Sequence, residues 1–121
     1  MNKRQTGTDA EKEAGRFLES RGYRILQYNF RAPRSEIDIV AMDGRYLVFA
    51  EVKKRSSHRA GYGSQAVGVQ KQRRICAAAL WYMRRFHVAP DVPVRFDVVS
   101  IDGGRYTLYR DAFPFAFSAA G

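Results

Sequence analysis

Apolar residues recur along this chain with two periods, and the points where the period changes divide it into seven elements. From Asp9 to Arg21, the residues Ala10, Ala14, Phe17 and Leu18 fall on one side of a 3.6-residue helix, with Arg21 at its end. Thr8 is a suitable N-cap, Glu11 stands three residues on as in a capping box, and Gly22 supplies a stop. Tyr23 to Phe30 is rich in aromatic and branched side chains and reads as a strand, broken by the Pro33-containing stretch Arg31 to Arg34. Glu36 to Met42 and Tyr46 to Val52 are apolar runs on either side of Asp43-Gly44, which predicts a two-residue hairpin. Ser56 to Gly68 holds three glycines among polar residues and reads as a surface loop. Ile75, Ala78, Ala79, Tyr82, Met83 and Phe86 share one helical face, predicting a second helix from Gln70 to His87. Two strands follow, Val94 to Ile101 and Arg105 to Tyr109, joined by Asp102-Gly103-Gly104. The tail from Asp111 carries Phe113, Phe115 and Phe117, expected to lie on the core. The order αβββαββ, with a helix crossing between strands, predicts an α/β fold: a mixed β-sheet flanked by helices.

The hairpin breaks its own pattern. Asp38 interrupts Glu36-Ile37-Asp38-Ile39-Val40, and Glu51-Val52-Lys53 ends the next strand. A charge in a half-buried strand must be solvated, paired or bound to a cation, because unpaired burial is costly. If Asp43-Gly44 is the loop, Met42 pairs with Arg45, Glu36 faces Glu51 and Asp38 faces Phe49. Alternation then puts Glu36, Asp38, Glu51 and Lys53 on one side of the sheet. Asp38 and Glu51 become diagonal neighbours about 7–8 Å apart at the backbone, close enough to share an ion. Hard oxygen ligands in this arrangement suit Mg²⁺ or Mn²⁺. The plain alternative is a solvent-facing set of polar residues, with Glu51 and Lys53 in weak cross-strand pairs.

Charge adds a partner. The formal net charge is +9, and the excess is local: nine basic residues and no acid lie between Val52 and Pro90. Such a surface attracts polyanions, nucleic acid first among them, with an anionic membrane or a merely solvated basic face as the alternatives. Lys54, Arg55, Lys71, Arg73 and Arg74 are the candidate phosphate contacts. His58 reads as a surface residue and Cys76 as inert packing. Tyr62 and Trp81 are able to stack on bases, although packing is the ordinary role for Trp81. Asp97, in an apolar strand beside Arg95, reads as an ion-pair partner. At 121 residues the chain fits one domain, with a core over about 7–110 and an apolar tail over 111–121. A lone cysteine and two histidines leave no basis for a disulfide or a Cys/His zinc site, and no Ser–His or Cys–His constellation suggests a protein nucleophile. No apolar run approaches the ~18 residues of a membrane span, and the N-terminal stretch lacks a signal-peptide apolar region, so a cytoplasmic setting is expected.

Asp38, a gap of twelve residues and then Glu51-Val52-Lys53, preceded by an acidic first helix, resembles the PD-(D/E)XK nuclease motif. More closely, the chain resembles the YraN-like family, whose fold is like that of Holliday-junction resolvases. The segments that carry the resemblance are Gly7-Thr8-Asp9-Ala10-Glu11-Lys12-Glu13-Ala14, Asn29-Phe30-Arg31, Glu36 to Val40, Phe49 to Lys53, Lys71 to Arg74 and Arg95 to Val99. Ala10 and Ser35 stand where that pattern has glycine, and neither change removes a candidate ligand.

The resemblance implies a restriction-endonuclease-like core and a metal-dependent endonuclease that hydrolyses phosphodiester bonds in DNA, with branched DNA a candidate substrate. It further implies that Asp38 and Glu51 hold Mg²⁺ or Mn²⁺, helped by the Val52 carbonyl. Glu11 would be a further ligand or would orient the attacking water. Lys53 would position or deprotonate that water and counter the charge that develops on the phosphate. Glu36, nearer the open end of its strand, is a secondary candidate. A homodimer is a further expectation, since resolvase-like relatives dimerise. The rival readings are a nucleic-acid-binding module that keeps the fold without cutting, and an interaction protein whose basic face docks an acidic partner.

Overall fold

In the computed structural model, which describes residues 8–55 and 67–115, the chain runs α1 (Asp9–Ser20), β1 (Arg24–Arg31), β2 (Glu36–Asp43), β3 (Tyr46–Arg55), α2 (Val69–Arg85), β4 (Val94–Asp102) and β5 (Arg105–Phe113). This is the expected αβββαββ order. The loop over 56–66, with His58 and Tyr62, and Phe117 in the tail lie outside the described residues. Among the described residues no helix is long and apolar enough to cross a membrane.

The five strands form one sheet in the order β1-β2-β3-β4-β5. Every neighbouring pair is antiparallel except β3 and β4, which run parallel because α2 carries the chain back between them. A helix covers each face. Ala14 and Leu18 of α1 pack with Tyr23, Ile39, Ala41, Val48, Ala50, Val99 and Ile101. Ile75, Ala78, Ala79 and Tyr82 of α2 pack with Val40, Leu47, Phe49, Phe96 and Val98 on the other side. Central strands buried on both faces explain the near-continuous apolar runs of β3 and β4.

The helix termini follow their local chemistry. The capping box is complete: Thr8 Oγ1 accepts from the Glu11 amide at 3.1 Å, and Glu11 Oε1 accepts from the Thr8 amide at 3.0 Å. Both helices end a little earlier than expected. Arg21 becomes an exposed C-cap, and Phe86 follows the last turn of α2 and is half exposed instead of joining the buried stripe. Gly15 of α1 is set by close packing, since a Cβ there would stand 2.0 Å from the Tyr28 hydroxyl.

Two differences from the expected strands matter. The hairpin loop is Gly44-Arg45, with Asp43 pairing Tyr46 and Met42 pairing Leu47, so the predicted register is displaced by two residues. Gly44 takes φ 60° at the first loop position, where the primed hairpin turns favour glycine. Asp43 is held in the strand by Arg95, whose Nη2 donates to its Oδ2 at 2.7 Å. A displacement of two preserves every side chain's face, so the shared side of Asp38 and Glu51 survives while their partners change. The second difference is β5, which continues past Tyr109 to Phe113. Phe113 stacks on Phe96 with ring centroids 5.1 Å apart, and Phe115 meets the same ring edge-on at 5.2 Å. The register shifts between Phe96 and Val98, and Asp111 sits there at φ 55°.

That irregularity surrounds Asp97, which is fully buried. Its Oδ2 accepts from the Tyr23 hydroxyl at 2.6 Å and from Arg95 Nη2 at 2.9 Å. Its Oδ1 accepts from Arg95 Nε at 3.0 Å and from the Asp111 amide at 2.9 Å. Asp97 is thus the paired structural acid that its neighbour Arg95 suggested. Burial, then the carboxylate beside it, pushes the Tyr23 hydroxyl up to about 12, so it stays a donor at neutral pH. Removing one partner of a buried ion pair strands the other. Asp97→Ala should therefore lower the unfolding free energy by about 3–5 kcal/mol, measured by urea denaturation.

Candidate active site

On the α2 side of the sheet, where β2 enters from the β1–β2 turn and β3 leaves, Asp38 and Glu51 line one cleft. The ladder pairs Ile39 with Ala50, and its continuation sets Asp38 opposite Glu51 rather than diagonal to it. The two acids are consequently closer than the predicted register allowed. Asp38 Oδ2 accepts from the Val52 amide at 2.8 Å. The Val52 N–H thus ties β3 to the Asp38 carboxylate.

Two carboxylates side by side cannot both ionise freely. Glu51, buried, is met by Lys71 Nζ at 2.9 Å from its Oε2. Among the described residues Asp38 has no such cation. Its pKa is pushed up to about 8, first by burial, then by the charge of Glu51; the Val52 amide opposes this, and Glu11 adds to it. Lys71 in turn is raised by its bond to Glu51. The pair therefore resists carrying two full negative charges. Lys53, two residues beyond Glu51 on the same face, is lowered chiefly by burial and then by neighbouring Arg55. A depressed pKa leaves more of the amine unprotonated, and so free to accept a proton, than in an ordinary lysine.

The cleft, of about 170 Å³, is completed by Arg34, Ser35, Glu36, Arg74 and Ile75. Ser35 Oγ donates to the Arg74 carbonyl at 2.9 Å, tying the β1–β2 turn to α2. Glu36 is exposed at the mouth, 3.9 Å from Arg31 Nε.

Glu11 stands apart from this pair. It is buried, and close enough to disfavour charge on Asp38, but its carboxylate is engaged with the Thr8 amide. Among the described residues no three His, Cys, Asp or Glu side chains are gathered as a metal-binding group. The structure thus assembles two of the three expected acids. Two still fit Mg²⁺, which commonly takes one or two carboxylates and completes its shell with water and substrate phosphate. Asp38, raised first by burial and then by the charge of Glu51, sits where a nearby positive charge would stabilise both carboxylates.

The expected phosphate contacts divide. Lys71 and Arg74 line the cleft, and Arg73 is exposed on the same helix. Arg55 is half-buried at the end of β3. Lys54 lies with α1, bonded to Glu13 at 2.8 Å, and so is on the opposite side of the sheet. Arg31 and Arg34 were missed because they fall outside the acid-free segment. The signal for them was present in a proline-containing basic stretch directly before Glu36-Ile37-Asp38.

The pattern described as Uncharacterised protein family UPF0102 matches residues 10–101, spanning α1 to the end of β4. The chain belongs to the UPF0102 family. A UPF0102 protein of Lachnoclostridium phytofermentans is 42% identical over 113 residues, covering 93% of this chain and 96% of its own length. One of Symbiobacterium thermophilum is 42% identical over 115 residues, with 91% and 97% covered, and one of Chlorobium phaeobacteroides is 45% identical over 101 residues, with 84% and 79% covered. The YraN-like resemblance read from the motifs is this same family. Membership in UPF0102 covers all of Glu11, Asp38, Glu51, Lys53 and Lys71.

A pKa raised on folding means that the folded state holds more protons than the unfolded one between about pH 4 and pH 8. The contribution of Asp38 to stability is therefore full at low pH and lost as pH rises through its folded pKa. The groups facing it are Glu51, Glu11 and Lys71, with Glu36 at the mouth. In chelated buffer, Asp38→Asn should become progressively more stable relative to wild type from pH 4 to pH 8. Urea denaturation of the two proteins across that range measures the difference.

Proposed function

We propose that this UPF0102 protein is a metal-dependent nuclease that hydrolyses phosphodiester bonds in DNA, with Asp38, Glu51 and Lys53 as its working groups. One observation carries the reading: two carboxylates on adjacent strands converge in a cleft rimmed by Lys71, Arg74 and Arg34, and among the described residues only Glu51 of the two has an ion-pair partner. The αβββαββ fold and the Asp…Glu-x-Lys spacing agree with a PD-(D/E)XK nuclease core.

Asp38 and Glu51 would hold Mg²⁺ or Mn²⁺. When bound, the cation supplies Lewis acidity that offsets charge on phosphate oxygens and makes water a stronger nucleophile. The protein does the rest. The Val52 amide fixes the Asp38 carboxylate, and Lys71 pairs with Glu51 until a substrate arrives. Lys53, its pKa lowered by burial, takes a proton from the attacking water or stabilises the extra negative charge on the phosphate. Water adds to phosphorus, a P–O ester bond breaks, and the leaving alkoxide takes up a proton. Glu11 caps α1 and adds negative potential at Asp38. Lys71, Arg74 and Arg34 hold the flanking phosphates, with Arg73 beyond them on the exposed side of α2.

The second reading, a binding module that does not cut, draws on the Lys71–Glu51 contact: a built-in cation already neutralises half of the pair. One assay separates the two. Purified protein is incubated with single-stranded, duplex and branched DNA and Mg²⁺ or Mn²⁺. A nuclease cleaves at least one of these, Asp38→Asn and Glu51→Gln abolish cleavage, and Lys53→Met slows it by about 10²–10⁴-fold. Salt-sensitive binding without cleavage would replace the first reading by the second.

A further inference from the structure

A second cavity lies away from the acidic pair. It is an open groove of about 480 Å³ whose walls include Phe30, Pro33 and Trp81, with Arg31, Arg84 and Arg85 around them. Trp81 is 50% exposed, and among the described residues it stacks against no other ring. A half-exposed tryptophan ringed by guanidinium groups is an unusual surface for a packing residue. A simpler role exists for Arg84 and Arg85, which complement the dipole at the end of α2. That role leaves Trp81 unexplained, and Arg31 makes only a long, exposed pair with Glu36 at 3.9 Å.

The groove is joined to the active-site cleft. Arg31 and Ala32 line both the groove and a smaller cavity over the β1–β2 turn, and that cavity shares Arg34, Ser35 and Glu36 with the cleft of Asp38 and Glu51. Along α2, Lys71, Arg74, Trp81 and Arg85 recur three, seven and four residues apart, so they form one stripe beside the buried face. From Lys71 to Trp81 the helix rises about 15 Å. The path is thus lined mainly by cations, with Glu36 the exception at the β1–β2 turn; it begins at the two carboxylates and ends on an aromatic platform.

We propose that this groove receives an unpaired base of a nucleic-acid strand, stacked on Trp81, while the arginines hold the phosphates that lead to Asp38 and Glu51. The inference rests on the nuclease reading for the direction of the strand. Its own content is a preference for DNA that presents unpaired nucleotides a few positions from the cleft. Base–aromatic stacking tolerates any sequence, so no base specificity is expected from it. An acidic peptide would find the same charges but no partner for the indole face.

The protein has a single tryptophan, so its emission reports this groove alone. In chelator, where no cutting occurs, a short single-stranded oligothymidylate should quench that emission, and a strand of abasic sugar-phosphate should bind more weakly without quenching it. Measured by anisotropy of a labelled strand, Trp81→Ala should weaken binding by about tenfold and Trp81→Phe should retain it. Trp81 is exposed, so neither change should disturb folding. Binding with unchanged emission and no effect of Trp81→Ala would overturn the proposal while leaving the nuclease reading intact. Equal quenching by the abasic strand or by an acidic peptide would overturn it too. Failure of single-stranded, duplex and branched DNA alike to bind would overturn both.

Discussion

Two carboxylates held side by side on neighbouring strands repel each other, and everything around them answers that repulsion. The hairpin places Asp38 opposite Glu51 because the turn at Gly44-Arg45 sets the ladder, and each side chain's face follows from strict alternation. That repulsion is answered by a raised proton affinity at Asp38 and by Lys71 paired with Glu51. Both arrangements are substitutes for positive charge. A divalent ion would compete with a proton there and release Lys71, and a phosphate diester would give that lysine a new partner. The proposed catalytic chemistry therefore grows from a conflict that the fold creates.

The opposite face of the sheet shows how the same fold treats an acid it means to keep inert. Asp97 receives four hydrogen bonds, two from the Arg95 guanidinium and one each from Tyr23 and the Asp111 amide. Arg95 also reaches Asp43 and so ties β4 to the hairpin end. Every lone pair has a fixed partner, and nothing there calls for a ligand. Asp38, by contrast, has one backbone donor and a like charge as its neighbour. Two acids in apolar strands are distinguished by their partners as well as by burial, Asp97 being fully enclosed and Asp38 half-buried.

Much of this was legible in the sequence. The capping residues Thr8 and Glu11, the apolar face of α2, and the hairpin around Gly44 are local signals, and local signals survive folding. Asp38 and Glu51 were found because a charge breaks an apolar alternation. Their face was correct even though the turn was misplaced by one residue at each side, since parity is insensitive to a displacement of two. The longer reach of β3 and β5 was hidden because it depends on β4, a partner distant in sequence. Glu11 was drawn toward the site by motif resemblance, whereas its carboxylate is bound by the Thr8 amide that the same residues also predicted. Arg31, Arg34 and Trp81 could be joined to the site only in three dimensions, through the β1–β2 turn and one flank of α2.

The claim beneath all of this is that the Asp38–Glu51 cleft is made to hold a divalent cation. A crystal of the wild-type protein grown with Mn²⁺, with anomalous scattering measured at the manganese edge, tests it directly. A peak coordinated by both carboxylates, with Lys71 swung away from Glu51, is the predicted result. Manganese found only elsewhere on the surface, with Lys71 still seated on Glu51, would contradict it.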